Sequence, residues 1–266
     1  MADSDNDDLK AADAKELHRA VREEGEDELR RPVGSLFWPG LAAGMAISAS
    51  LIAEAALYAK LPATPWRDLV VALGYPLGFL IVILGRMQLF TESTITAMLP
   101  LVTTPTRWAL LRTLRLWGIV LFANLLGTAI SGALIAHGLL GSDEVRGAAL
   151  AISAKITELS PLATFINAIP AGFMIAILAW ALPNAREQSF WIIVAFTYVL
   201  TAAGFSHSVV GSDEAFLLMF AGKTGLWQTL IELIAPAVLG NLVGGAGIFA
   251  LLAHGQVKAE MDGEAT

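Results

Sequence analysis

His207 stands in the run Gly204-Phe205-Ser206-His207-Ser208, an imidazole set among glycine and hydroxyl residues directly after an apolar stretch. Such a ring can donate or accept hydrogen bonds and can change charge near neutral pH. Earlier in the chain, Arg86-Met87-Gln88-Leu89-Phe90-Thr91-Glu92-Ser93-Thr94 places charged and hydroxyl side chains at the end of another apolar stretch. Polar, irregular backbone at membrane depth is tolerated only where it is buried in protein or lines an aqueous cavity. The chemistry these residues suit is contact with a passing solute: hydrogen bonding from Ser206, Ser208 and Thr91, and hydrogen bonding or proton relay at His207. The bland alternative for His207 is a ring bonded to backbone carbonyls in the break.

Covalent and metal chemistry find little support. The chain has no cysteine, which removes disulfides, thiolate nucleophiles and cysteine metal sites. His18, His137 and His254 are far from His207 in sequence, so no metal site is expected. No nucleophile–base constellation, phosphate loop or ATPase motif appears. Neither an enzyme nor a cofactor is expected, and any uphill transport would draw on an ion gradient.

The elements that must position these residues are membrane spans. Hydrophobic residues make up 56% of the chain and charged ones 15%, well below the quarter or so that coats a soluble domain. Apolar runs near the roughly 20 residues needed to cross a bilayer occur at Phe37–Ala59, Leu69–Phe90, Trp108–His137, Leu162–Leu182, Phe190–Phe205 and Trp227–His254. With the N-terminus inside, eleven Lys and Arg fall on the cytoplasmic side and five on the other, so both termini are expected to be cytoplasmic. Residues 1–35 read as a charged tail, 36–256 as the membrane domain and 257–266 as a second short tail. Leu9, Ala12, Leu17, Ala20 and Val21 recur at loosely helical spacing, so the first tail is either an amphipathic helix or a solvated segment. No signal peptide opens the sequence given. The net charge of −7, carried mainly by the tail and loops, gives no sign of nucleic-acid binding.

The chain also repeats itself. Asn124-Leu125-Leu126-Gly127 returns as Asn241-Leu242-Val243-Gly244, Ala43-Gly44-Met45 as Ala171-Gly172-Phe173-Met174, and Leu89-Phe90-Thr91 as Gly204-Phe205-Ser206. Halves of three spans each must be inserted with opposite orientation, an architecture common among transport proteins. Gly40/Gly44 and Gly240/Gly244 are spaced for close helix packing, and Asn124 and Asn241 beside them are placed to brace broken helices. Ionisable residues in or near spans are Glu54, Arg86, Glu92 and Glu232. Glu54 reads either as a vestibule charge or as a partner for Arg86 or Lys60; Asp213-Glu214 reads as a solvated loop near the outer mouth.

Leu89-Phe90-Thr91, Gly204-Phe205-Ser206-His207-Ser208 and Pro236-x-x-x-Gly240-Asn241-x-x-Gly244-Gly245 together resemble the formate/nitrite transporter family, from about Trp38 to His254. The resemblance implies an all-α, aquaporin-like fold of six transmembrane helices in two inverted three-helix repeats, with the second and fifth helices broken. It further implies a homopentamer in the bacterial inner membrane, each protomer surrounded by lipid or neighbour and holding its own pore for a small monovalent anion. His207 matches the family's pore histidine and Thr91 its threonine after the first break. Leu89, Phe90, Tyr75, Phe79 and Leu200 match its constriction positions.

The departures are Ser206 for the usual glutamate, Gly211 and Ala176 for asparagines, and Ser160 for the lysine of the outer vestibule, with Lys155 nearby. With Arg31-Pro32 and Ser35-Leu36-Phe37-Trp38, they resemble a divergent YfdC-like branch. The leading expectation is a channel for a small anion or its weak acid. A pore for a cation or neutral solute on the same fold, and a non-conducting membrane scaffold, stay open.

Overall fold

The structure is a computed structural model that describes residues 13–264, and among these every regular element is helical. Helix α1 (Ala14–Arg30) starts with a reciprocal cap, in which Asp13 accepts from the backbone of Lys15 and Glu16 while the Glu16 carboxylate accepts from the backbone N–H of Asp13. Helices α2 (Val33–Ala46) and α3 (Ser48–Lys60) run on as one span. Helix α4 (Arg67–Val71), one 3₁₀ turn and α5 (Pro76–Leu84) form the next, followed by α6 (Phe90–Thr103). Helices α7 (Arg107–Ala136), α8 (Asp143–Ala154) and α9 (Pro161–Ala181) come next. The chain continues through α10 (Ser189–Ala202) and α11 (Ser208–Phe220), and ends on α12 (Ala235–Leu242) and α13 (Ala250–Glu264), which are joined by π-helical turns.

Five stretches are long and apolar enough to cross a bilayer: Val33–Lys60, Arg67–Leu84, Arg107–Ala136, Pro161–Asn184 and Gln228–Met261; Ser189–Ala202 is apolar but shorter. Large apolar side chains such as Trp38, Phe122, Leu162 and Trp191 face outward, as expected of a surface meeting lipid or another protomer.

The repeat read from the sequence is present as matched contacts. An added Cβ at Gly44 would lie 2.2 Å from the Asn124 carbonyl oxygen, and one at Gly172 would lie 2.2 Å from that of Asn241. Gly127 likewise packs on the backbone of Leu41 and Met45, and Gly244 on that of Ile169 and Phe173. These contacts admit no side chain, so the two crossings of α2 with α7 and of α9 with the last span require glycine. At a third matched contact the small residues trade places: Gly40 faces Ala123 in the first half, whereas Ala168 faces Gly240 in the second.

Both broken helices end in the same way. Arg86 and Gly204 have φ of 54° and 71°, with backbone bonds from Arg86 to Ile83 and Met87 to Val82, and from Gly204 to Thr201 and Phe205 to Leu200. This is the left-handed cap that normally selects glycine, and Arg86 is the one non-glycine residue with positive φ among the described residues. The breaks therefore occupy Gly85–Leu89 and Ala203–His207, shorter than the polar runs suggest, because Glu92, Ser93 and Thr94 already lie within α6 and Gly211 within α11. The third sequence echo is three residues out of register: Leu89 and His207, which precede α6 and α11, are the equivalent positions.

Of the alternatives for the N-terminal segment, the helix is the one formed. Leu9 and Ala12 lie outside the described residues, and the buried face of α1 is His18, Val21, Gly25 and Leu29 rather than the expected stripe through Ala20. Gly25 sits on the Thr96 carbonyl of α6. Glu28 accepts hydrogen bonds from Gln88 Nε2 at 2.6 Å and Thr96 Oγ1 at 3.1 Å, and Arg115 Nη2 donates to the Arg31 carbonyl at 2.9 Å. His18 is buried against Trp180, with Nε2 3.3 Å from His254 Nδ1.

Burial, with the neighbouring His254 and Arg22, lowers the His18 pKa to about 4; burial raises that of Glu28. A released His18 binds a proton at an ordinary pKa near 6.5, so acidification from about 6.5 toward 4 favours release of α1. Glu28 acts with the opposite sign, because its docked form holds a proton more tightly. We therefore expect a spin label at Glu23→Cys, an exposed site in a chain without other thiols, to gain mobility over that pH interval. In a His18→Phe background the gain should vanish; an unchanged titration would show that His18 does not control docking.

Candidate solute pathway

The ends of the two half-helices meet at the centre of the chain. His207 caps α11, its Nδ1 accepting from the backbone N–H of Val210 at 3.3 Å. Because Nδ1 is thereby an acceptor, the proton of the neutral ring belongs on Nε2, which lies 2.9 Å from Thr91 Oγ1 in the first turn of α6. His207 thus donates to Thr91 across the junction of the halves. The edge of the Phe79–His207 ring pair closes one side at a centroid distance of 5.0 Å, and Tyr75 stacks at a tilt on Phe79 at 5.3 Å. Leu89, Phe90, Phe79, Leu200, Thr91 and His207 are all buried.

Two carboxamides hold this junction. Asn124 Oδ1 accepts from the backbone N–H of Phe90 at 2.9 Å, while its Nδ2 donates to the carbonyls of Gly40 and Gln88. Asn241 does the same in the other half: Oδ1 accepts from Ser208 N–H at 2.8 Å, and Nδ2 donates to the carbonyls of Ala168 and Ser206. Each amide satisfies the first orphan donor of a half-helix and a carbonyl in the break before it, groups that helix geometry leaves unpaired.

Cavities open on either side. One, of about 470 Å³, is lined by Glu54, Tyr75, Lys155, Ser206, His207 and Glu214 among others; the second, of about 220 Å³, by Glu24, Glu28, Arg86, Gln88, Leu89 and Glu92 among others. No residue lines both. His207 lines the first and Leu89 the second, with the buried apolar cluster and the His207–Thr91 bond at the junction. Helix α1 forms part of the wall of the second cavity.

Most residues singled out from the sequence come together here, with some changes of role. Glu54 is 5% exposed and accepts from Thr201 Oγ1 at 3.4 Å; neither Arg86 nor Lys60 is its partner, since Arg86 instead meets Glu24 at 3.3 Å. Lys155 lines the first cavity but is engaged with Asp68 at 2.9 Å. Ser206 contributes its carbonyl to Asn241, and the hydroxyl of Ser208 is buried without a partner among the described residues. Asp213 and Glu214 are not a solvated loop: they lie on α11, with Asp213 fully buried and Glu214 on the cavity wall. Ser160 caps α9 through Ala163 N–H, and Ala176 is buried in the apolar cluster that includes Val21 of α1.

Sequence reading missed α8, whose Ile152 helps to roof the first cavity, although Ser142-Asp143-Glu144 carries a helix-start signature. It also missed the cavity positions of Thr201, Glu28 and Gln88, for which no local signal exists.

The family model for formate/nitrite transporters matches residues 15–255. The chain belongs to the formate/nitrite transporter family. It is 38% identical over 246 residues to the Inner membrane protein YfdC of Escherichia coli (strain K12), covering 92% of this chain and 79% of that one. It is 24% identical over 243 residues to the Formate channel BtFdhC of Bacillus thuringiensis, covering 87% and 90%. A pentameric formate channel solved with formate bound superposes with a TM-score of 0.72 at 17% identity, covering 85% of this chain and 98% of that one, which fixes the shared fold. In keeping with membership, the protein is a transporter or channel rather than an enzyme.

The amide clamps give a direct test. Asn241→Ala strands one N–H and two carbonyls in a buried site, where each orphan group costs about 1–3 kcal/mol. Thermal unfolding of the purified protein should register a loss of about 3 kcal/mol or more, with Asn124→Ala close behind. A change within ordinary surface scatter in both would mean that water replaces the amides and that the clamps are dispensable.

Proposed function

We propose that this transporter conducts small monovalent anions, or their conjugate weak acids, between the two cavities through the His207–Thr91 junction. The observation that carries this reading is the Nε2 donor of His207, hydrogen-bonded to Thr91 inside an otherwise apolar, sealed barrier. The N-termini of α6 and α11 point their positive ends at the same place, where they favour negative charge. An anion entering this barrier loses its hydration, and loss of hydration favours its protonated, neutral form. His207 then acts as hydrogen-bond donor to the solute in place of Thr91 and as the relay for its proton, while Leu89, Phe90, Phe79, Tyr75 and Leu200 exclude water.

By kinship with the named relatives, the proposed setting is the bacterial inner membrane and the proposed assembly a homopentamer. The excess of Lys and Arg in the tail and alternate loops supports a cytoplasmic position for α1 and both termini. Residues 36–256 constitute the channel unit, flanked by the N-terminal segment 1–35 and the C-terminal segment 257–266.

The test is flux and reversal potential in liposomes, with formate, nitrite, chloride and sodium gradients at two pH values. Formate or nitrite flux should rise on acidification and reverse with the anion gradient. His207→Phe should lower it by about tenfold or more, within the range typical of a positioned proton donor; His207→Asn should flatten its pH dependence. A reversal potential that follows sodium would overturn the anion assignment, and unchanged transport in both variants would overturn the role of His207.

A further inference from the structure

The first cavity is lined by more carboxyls than ammonium groups. Its wall carries the carboxyls of Glu54, Asp68 and Glu214 against the single base Lys155, and Lys155 is engaged by Asp68 at 2.9 Å. The neighbouring Arg67 is stacked on the Tyr58 ring and donates to the Tyr58 carbonyl. Glu54, from α3, and Glu214, from α11, therefore share the cavity with one ammonium that Asp68 already engages, and Glu54 acts electrostatically on Glu214. Asp213, fully buried one residue before Glu214 on α11, also acts electrostatically on it. His207 at the floor is already committed at both ring nitrogens.

A second observation is independent of the acids. Tyr75 lines the same cavity and is 6% exposed, and its hydroxyl makes no hydrogen bond within the described residues while lying within electrostatic reach of both Glu54 and Glu214. Two carboxyls with an unused phenol beside them are what a ligand with several N–H donors and a positive charge would satisfy.

Among the described residues no group of three His, Asp or Glu converges closely enough to hold a metal ion, which disfavours a dehydrated metal. Part of the remaining wall is apolar, including Leu69, Val71, Ile156 and Leu233, and it suits an alkyl group.

We propose that this cavity is a binding site for a small primary alkylammonium ion, its head held by Glu54, Glu214 and the Tyr75 hydroxyl and its alkyl part against the apolar wall. The site is independent of what crosses the His207 barrier. When occupied, it sets a positive charge beside these carboxyls, which would favour an incoming anion if the proposed function holds.

Calorimetric titration of the purified full-length protein with methylammonium tests this directly, since it needs no transport. Wild type should bind saturably, one ion per protomer, and prefer methylammonium to tetramethylammonium, which has no N–H donors. Glu54→Gln and Glu214→Gln should each weaken binding at least tenfold and Tyr75→Phe severalfold; Glu144→Gln, an exposed acid on α8, should leave it unchanged. Glu54→Asp, which keeps the charge, guards against loss through misfolding and should bind better than Glu54→Gln.

Absence of saturable heat at tens of millimolar would overturn the proposal, because the carboxyls would then be balanced by protons. Equal binding of sodium and methylammonium, or full affinity in both glutamine variants, would overturn it as well. Because the liposome assay reads anion flux and this one reads binding, either can fail without the other.

Discussion

Everything at the centre of this fold depends on two side-chain amides. A helix broken at membrane depth exposes donors at the start of its second half and acceptors at the end of its first, and neither lipid nor an apolar core can satisfy them. Asn124 and Asn241 each supply one acceptor and two donors at that point. Their reach is set by the glycines beside them. Gly44 and Gly172 let the flanking helices lie directly on the asparagine backbone, and so bring each amide within bonding distance of the break. The polar centre is thus a product of close packing rather than an exception to it.

That arrangement explains how His207 and Thr91 meet although 116 residues separate them. Each follows from its own half: Thr91 is carried on the first turn of α6, behind the Asn124 clamp, and His207 is the cap of α11, behind the Asn241 clamp. The halves are alike in backbone but not in side chain. Leu89 occupies in the first half the position that His207 holds in the second, so the junction has one apolar lip and one hydrogen-bonding lip. The imidazole thus lines the larger of the two cavities and the leucine the smaller one, whose wall includes α1.

Much of this was legible in the sequence, and the reasons differ by element. The long spans announce themselves by hydropathy, and the paired Asn-x-x-Gly motifs announce the repeat, because bilayer thickness and close packing impose local rules. The breaks were legible as polar runs but not in extent: helix geometry resumes at Phe90 and Ser208 once an amide caps it, whatever the polarity of the residues that follow. Asp213 and Glu214 misled because a charged pair reads as solvated unless the neighbours on other helices are known. Glu54, Glu214 and Tyr75 come from three separate segments, and only the packing of α3 against both α11 and the second span makes them one wall. For α1, two of the five residues of the expected apolar stripe, Leu9 and Ala12, fall outside the described residues, and its buried face includes Gly25 and His18, which carry little hydrophobic signal.

The exchange of small residues between the halves has its own consequence. Gly40 opposite Ala123 and Ala168 opposite Gly240 fill the same kind of crossing with a single methyl group, supplied by opposite partners. What the duplicated halves have kept at this crossing is a sum of volumes, not an identity at either position. In the first half a Cβ added at Gly40 would meet chiefly the Ala123 methyl, so that pair can drift in step, whereas one at Gly240 would also lie 2.3 Å from the Phe165 carbonyl oxygen, which holds the glycine in place. Direct comparison of the halves residue by residue therefore understates their kinship at the very contacts where it is most constrained.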